Sequence, residues 1–143
     1  MKIIFDYNRT IFDPEKNELY SGAFELLKKL ADKHELFLIS RNEPSRKDRL
    51  EELGIKHYFK KIMFVDEKNA EIFKELIGDS KKVLVVGDSI RDEIKTGNKL
   101  GLITVRLKKG VFASEIPASP EEEPMFNISE ITELEKIILN YEK

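Results

Sequence analysis

Cysteine is absent from the chain, which excludes disulfides, thiolate metal ligands and cysteine nucleophiles. Long hydrophobic runs are missing too. The longest span about five residues, against roughly 18 needed to cross a bilayer. Neither sign of charge is in surplus: 25 Lys and Arg face 27 Asp and Glu, a net charge of −2. That balance argues against general nucleic-acid binding, which draws on a basic surplus. The opening residues Met1–Asp6 read as a strand, with no apolar run or cleavage site to make a signal peptide, so a cytoplasmic location is expected. What remains is an ordinary composition, 41% hydrophobic and 36% charged over 143 residues, enough for one domain with one buried core.

Apolar runs alternate with helical patterns. Ile3–Phe5, Leu36–Ile39, Ile62–Val65 and Val83–Val86 are short and continuous, as strands covered on both faces are. A fifth run, Ile103–Leu107, alternates more and is expected nearer an edge. Helices are predicted over Ala23–Lys33, Pro44–Leu53, Ala70–Ile77 and Ile90–Leu100, and a last one opening at Thr132 with Glu135 at capping-box spacing. Residues 111–126, holding Pro117, Pro120, Pro124 and three consecutive glutamates, read as a surface loop before a final short strand. The pattern predicts one α/β domain over residues 1–143, a three-layer α/β/α sandwich on a mainly parallel sheet.

Such sheets bind ligands beyond the carboxyl ends of their strands. Those ends carry Asp6, Ser40 and Gly87-Asp88, with Asp92 four positions on and Lys68 after the third strand. Taken singly, each is an ordinary turn or cap residue. Together they form a crowd of carboxylates with an ammonium and a hydroxyl. Repelling carboxylates call for a cation, and hard oxygen ligands suit Mg²⁺ with a phosphate. The residues thus point to a Mg²⁺-dependent phosphate site.

Phe5-Asp6-Tyr7-Asn8-Arg9-Thr10-Ile11 resembles the first motif of the haloacid dehalogenase-like (HAD) hydrolases, an apolar strand followed by DxDx[TV]. Leu38–Asn42 resembles the second motif, Lys68 stands at the place of the third, and Val85–Glu93 resembles the fourth, GDxxxD. The resemblance runs from Lys2 to about Leu107. It implies a Rossmannoid fold and phosphohydrolase activity through an aspartyl-phosphate at Asp6. It further implies Mg²⁺ held by Asp6, Asp88 and the backbone carbonyl of Asn8, with Asp92 supporting the metal from outside its ligand set or through water, and phosphate bound by Ser40, Arg41, Asn42 and Lys68. The family's general acid–base Asp is here Asn8, whose amide cannot give and recover a proton near neutral pH. The implied enzyme turns over slowly and favours good leaving groups, such as acyl phosphates.

Too few residues separate Asp6, Ser40 and Lys68 for an inserted cap domain. The resemblance implies that a capless member acts on a large substrate or oligomerises to cover its site, so the expected partners are a phosphorylated small molecule or macromolecule and a second copy of the chain. Residues 12–20 leave room only for a small flap, in which Asp13 or Glu15 would be placed to replace the missing acid. Other readings stay open: a degenerate module binding a phosphorylated ligand or protein partner, a true dehalogenase, or a phospho-accepting receiver with Asp66 as acceptor.

Overall fold

Strand alternation sends successive side chains to opposite faces, and β1 (Lys2–Asp6) does so at the centre of the sheet. Ile3 and Phe5 enter one hydrophobic cluster and Ile4 enters the other. The computed structural model describes residues 1–142. β4 (Glu35–Arg41), β5 (Phe59–Val65), β6 (Val83–Gly87), β7 (Ile103–Leu107) and β8 (Phe126–Ile128) join β1 in a six-stranded sheet of order β5-β4-β1-β6-β7-β8, parallel throughout.

One face buries Leu27 and Leu30 of α1 (Ala23–Ala31), Leu50 of α2 (Arg46–Glu52) and Ile137 and Ile138 of α5 (Leu134–Tyr141). The other buries Phe73 and Leu76 of α3 (Ala70–Ile77). There α4 (Lys95–Lys99) lies close on the sheet, because a Cβ at Gly97 would stand 2.7 Å from both Val85 Cγ1 and Thr104 Cγ2. This is the expected three-layer sandwich. Among the described residues no helix is long and apolar enough to cross a membrane.

The chain places β4 and β5 on one side of β1, then returns to build β6, β7 and β8 on the other. The crevice at that reversal, between the carboxyl ends of β1 and its neighbours, is where such sheets accept ligands. A small antiparallel hairpin of β2 (Phe12–Asp13) and β3 (Glu18–Leu19) occupies the expected flap. The connection from Asp6 to Ser40 otherwise holds only α1, and that from Ser40 to Lys68 only α2, a short 3₁₀ turn and β5. No inserted domain roofs the crevice.

Several local expectations are corrected. β5 is an edge strand, with Lys60 and Lys61 exposed and Ile62–Val65 only half-buried, where burial on both faces was expected. β7 lies, as expected, nearer an edge than β1 and β6, one place in from it and shielded by β8. α2 starts at Arg46, after Ser45 at φ 69°, and not at Pro44. The last helix is entered through a 3₁₀ turn capped by a Glu130–Glu133 box, not by Thr132 and Glu135. Glu133 wins because its side chain accepts from the N–H groups of both Ser129 and Glu130 at 2.7 Å.

Candidate active site

Asp6 ends β1 and is nearly buried. Beyond it the chain doubles back tightly, with Tyr7 O accepting from the N–H groups of Thr10, Ile11 and Phe12. Asp88 follows β6 directly and is also buried. Lys68 comes from the turn ahead of α3, whose N-cap Asn69 accepts from Ile72 N at 3.2 Å. Its ammonium is driven between two carboxylates, donating to Asp6 Oδ1 and, at 2.5 Å, to Glu93 Oε1.

Glu93 escaped the sequence reading, which singled out its neighbour Asp92 as a support for the metal. The segment Ile90–Ile94 is a π-helical turn, with Ile94 N donating to Ser89 O across five residues. In that wider turn Glu93 faces the strand ends and is 2% exposed. Asp92 stands at the rim instead, 3.6 Å from the Arg41 guanidinium, with its N–H given to Ser89 Oγ. The spacing GDxxxxE was legible beside GDxxxD, but only the turn's geometry chooses between them.

Ligand oxygens of Asp6, Asp88 and Glu93 lie within 4.8 Å of one another. Glu93 Oε2 is buried with no hydrogen-bond partner. Three carboxylates against one ammonium leave a deficit of positive charge, and the donors are hard oxygens. Together these fit a divalent cation. Burial, then the neighbouring carboxylates, push the Asp88 and Glu93 carboxyls well above their ordinary range. Burial disfavours the Lys68 ammonium, but Glu93 and Asp6 outweigh it and raise its pKa.

A carboxyl raised on folding binds its proton more tightly folded than unfolded. The stability it contributes is therefore present at low pH and lost as pH rises through the raised value. In chelator the melting temperature is expected to fall from about pH 5 to about pH 8. Added divalent cation should restore it, most strongly at the upper end. Calorimetric scans at constant ionic strength check both.

Gly87 is required for this arrangement. A Cβ there would lie 2.7 Å from Glu93 Oε2, 2.9 Å from its Cγ and 3.0 Å from its Cβ, too close for rotation of the carboxylate alone to relieve. Gly87→Ala is expected to cost about 1–3 kcal/mol by overpacking and to weaken cation binding, read by denaturant unfolding with and without metal.

The second-motif residues fall less neatly. Ser40 is fully buried, and its hydroxyl accepts from Arg46 Nη1 and donates to Arg41 O at 3.2 Å. Arg46, not Ser40, lines the cavity. Arg46 lies 4.3 Å from the centre of the Tyr7 ring and donates to Glu43 Oε2 at 2.6 Å. Arg41 reaches the cavity, whereas Asn42 is exposed outside it and its N–H goes to Val65 O at 2.8 Å. Arg46 was invisible as a site residue because only the fold brings the first turn of α2 beside Ser40.

The cavity, about 210 Å³, is lined by Asp6, Asn8, Lys68, Asp88 and Glu93 together with Arg9, Arg41, Glu43, Arg46, Ser89, Asp92 and Phe112. The flap acids are not among its lining residues. Asp13 Oδ1 accepts the N–H groups of Glu15 and Lys16, and Glu15 lies 3.4 Å from Arg9 Nε.

The sequence model of the haloacid dehalogenase-like hydrolases matches residues 1–107. Glyceraldehyde 3-phosphate phosphatase of Methanopyrus kandleri is 28% identical, over 64% of this chain and 43% of its own. The HAD-hydrolase YfnB of Bacillus subtilis is 27% identical, over 89% of this chain and 57% of its own. The chain thus spans about half the length of these curated relatives. A crystal structure of YfnB bound to magnesium superposes with a TM-score of 0.70 at 25% identity, over 85% of this chain and 56% of that one. A haloacid dehalogenase-like hydrolase from Burkholderia xenovorans LB400 shares the fold over 99% of this chain and 98% of its own, with a TM-score of 0.85 at 11% identity.

Proposed function

Because the chain belongs to the haloacid dehalogenase-like hydrolases, which match it over residues 1–107, we propose that it is a magnesium-dependent phosphohydrolase with Asp6 as nucleophile. The observation that carries this reading is the group Asp6, Lys68, Glu93 and Asp88, buried together at the crevice floor. The phosphatase name of the Methanopyrus relative and the magnesium in the YfnB structure support it.

Asp6, Asp88 and Glu93, with the backbone carbonyl of Asn8, would hold Mg²⁺. When bound, the ion supplies positive charge against the phosphate oxygens and the nucleophile. A carboxylate oxygen of Asp6 attacks phosphorus, the bond from phosphorus to the leaving oxygen breaks, and an aspartyl-phosphate forms. Lys68 stands against Asp6 and balances charge as it moves onto the phosphoryl oxygens, while Arg46 and Arg41 add cationic donors at the cavity wall. Water then attacks phosphorus, the aspartyl bond breaks, and inorganic phosphate departs.

Asn8 lines the cavity where the acid–base carboxyl would act. The leaving oxygen must therefore take its proton from solvent, and the attacking water has no carboxylate to receive its own. This favours substrates whose leaving group needs no proton. A binding module without turnover is the second reading, and Asn8 is the observation that favours it.

Phosphate release from acetyl phosphate and p-nitrophenyl phosphate, with magnesium and with chelator, separates the two. The phosphohydrolase reading expects release only with metal, faster for acetyl phosphate. No release from either compound would leave the binding module.

A further inference from the structure

Four cationic side chains line the cavity, and three of them make hydrogen bonds. Lys68 is taken by Asp6 and Glu93, Arg46 by Ser40 and Glu43, and Arg41 by the carbonyl of Asp66 and the nearby Asp92. Arg9 differs. It is ion-paired with Glu15 at 3.4 Å, and its Nε is buried with no hydrogen-bond partner.

The backbone at Arg9 also runs against its residue type. Its φ is 59°, in the left-handed region that favours glycine and costs other residues on the order of 1 kcal/mol. The surroundings hold it there. The guanidinium lies 5.3 Å from the centre of the Phe112 ring, and a Cβ at Gly110 would come within 3.0 Å of Arg9 Cδ. That loop is in turn pinned by buried Arg106, whose Nη2 donates to the carbonyls of Phe112 at 3.0 Å and Glu115 at 2.8 Å. A strained arginine, clamped in the lining of the cavity with its Nε short of a hydrogen bond, is a feature expected of ligand recognition.

We propose that Arg9 binds a second anionic group of the substrate, so that the preferred substrate is a small phosphorylated molecule carrying a carboxylate or a second phosphate. A cavity of about 210 Å³ suits a skeleton of a few carbons. The proposal rests on the phosphohydrolase reading and names the substrate class of that same site.

The test uses three ligands on one skeleton: 3-phosphoglycerate with a carboxylate, glycerol 1,3-bisphosphate with a second phosphate, and glycerol 3-phosphate with neither. The unaltered chain with magnesium is compared with Arg9→Gly, chosen because glycine accepts this φ without strain, and with Arg9→Lys. A charged hydrogen bond of ordinary strength gives the wild type a preference of about tenfold to a hundredfold in kcat/KM for an anionic ligand. Which ligand benefits distinguishes carboxylate from phosphate. Arg9→Gly should bring the ratio to about one, Arg9→Lys should keep part of it, and melting temperatures should stay within about 3 °C.

Equal kcat/KM for all three ligands in the wild type would overturn the proposal. So would an Arg9→Gly that melts far lower and loses every ligand equally, since that marks a clamp for the Phe112 loop. Calorimetric dissociation constants on Asp6→Asn protein, with and without Arg9→Gly, measure the same preference without turnover. If the wild type hydrolyses nothing, the catalytic reading fails, and a tenfold preference in these constants, or its absence, still decides the role of Arg9.

Discussion

Asp6→Asn is expected to abolish metal-dependent phosphate release, by about 10⁴-fold or more, with every phosphoester tried. An amide oxygen is too weak a nucleophile to form the acyl phosphate, and removal of a covalent nucleophile leaves only what binding and electrostatics supply. The substitution should not unfold the protein. Asparagine is close in shape to aspartate at the end of a central strand, and Lys68 keeps its ion pair with Glu93 at 2.5 Å. Circular dichroism and a melting curve establish the fold, and a colorimetric phosphate assay reads the loss. Release persisting at more than about one hundredth of wild type would remove Asp6 from the mechanism.

Asn8→Asp should act in the opposite direction, raising turnover of p-nitrophenyl phosphate and alkyl phosphates by roughly 10²–10⁴-fold, the usual worth of a positioned acid and base. For acetyl phosphate, whose leaving group needs no proton, the gain in the first step is smaller. A second consequence separates the two half-reactions. With asparagine in place, water attack on the aspartyl-phosphate lacks a base, so rapid mixing with acetyl phosphate should show a burst of acetate and a covalently labelled protein. With aspartate in place the burst should disappear, because hydrolysis keeps pace. The new carboxyl adds charge near Asp6, Asp88 and Glu93, so its benefit is expected only with magnesium bound. Unchanged rates in Asn8→Asp would show that proton transfer does not limit this site.

Much of this was legible because it is local. The run Ile3-Ile4-Phe5 ending in Asp6, and Val83–Val86 ending in Gly87-Asp88, each declare a buried strand and the polar residue at its tip. Where the strands lie in the sheet was less legible. Ile62–Val65 is as apolar as a central strand yet forms an edge, since its position depends on which neighbours arrive later in the chain. Asn42 looked like part of a phosphate loop, but β4 carries its N–H to Val65 O and leaves it outside the cavity.

By itself, the sequence determined the alternation of strands and helices and the placing of Asp6 and Asp88 at the tips of buried strands, with Lys68 just ahead of a helix. Each of these is set by residue type and near-neighbour spacing. Tertiary structure alone decided that Glu93 and not Asp92 faces Lys68, that Arg46 covers Ser40, and that Arg9 is clamped beside Phe112. In each case the deciding contact joins segments distant in the chain or depends on one turn's hydrogen-bond pitch. Spacing can name two adjacent carboxylates as candidates, but only packing turns one of them inward.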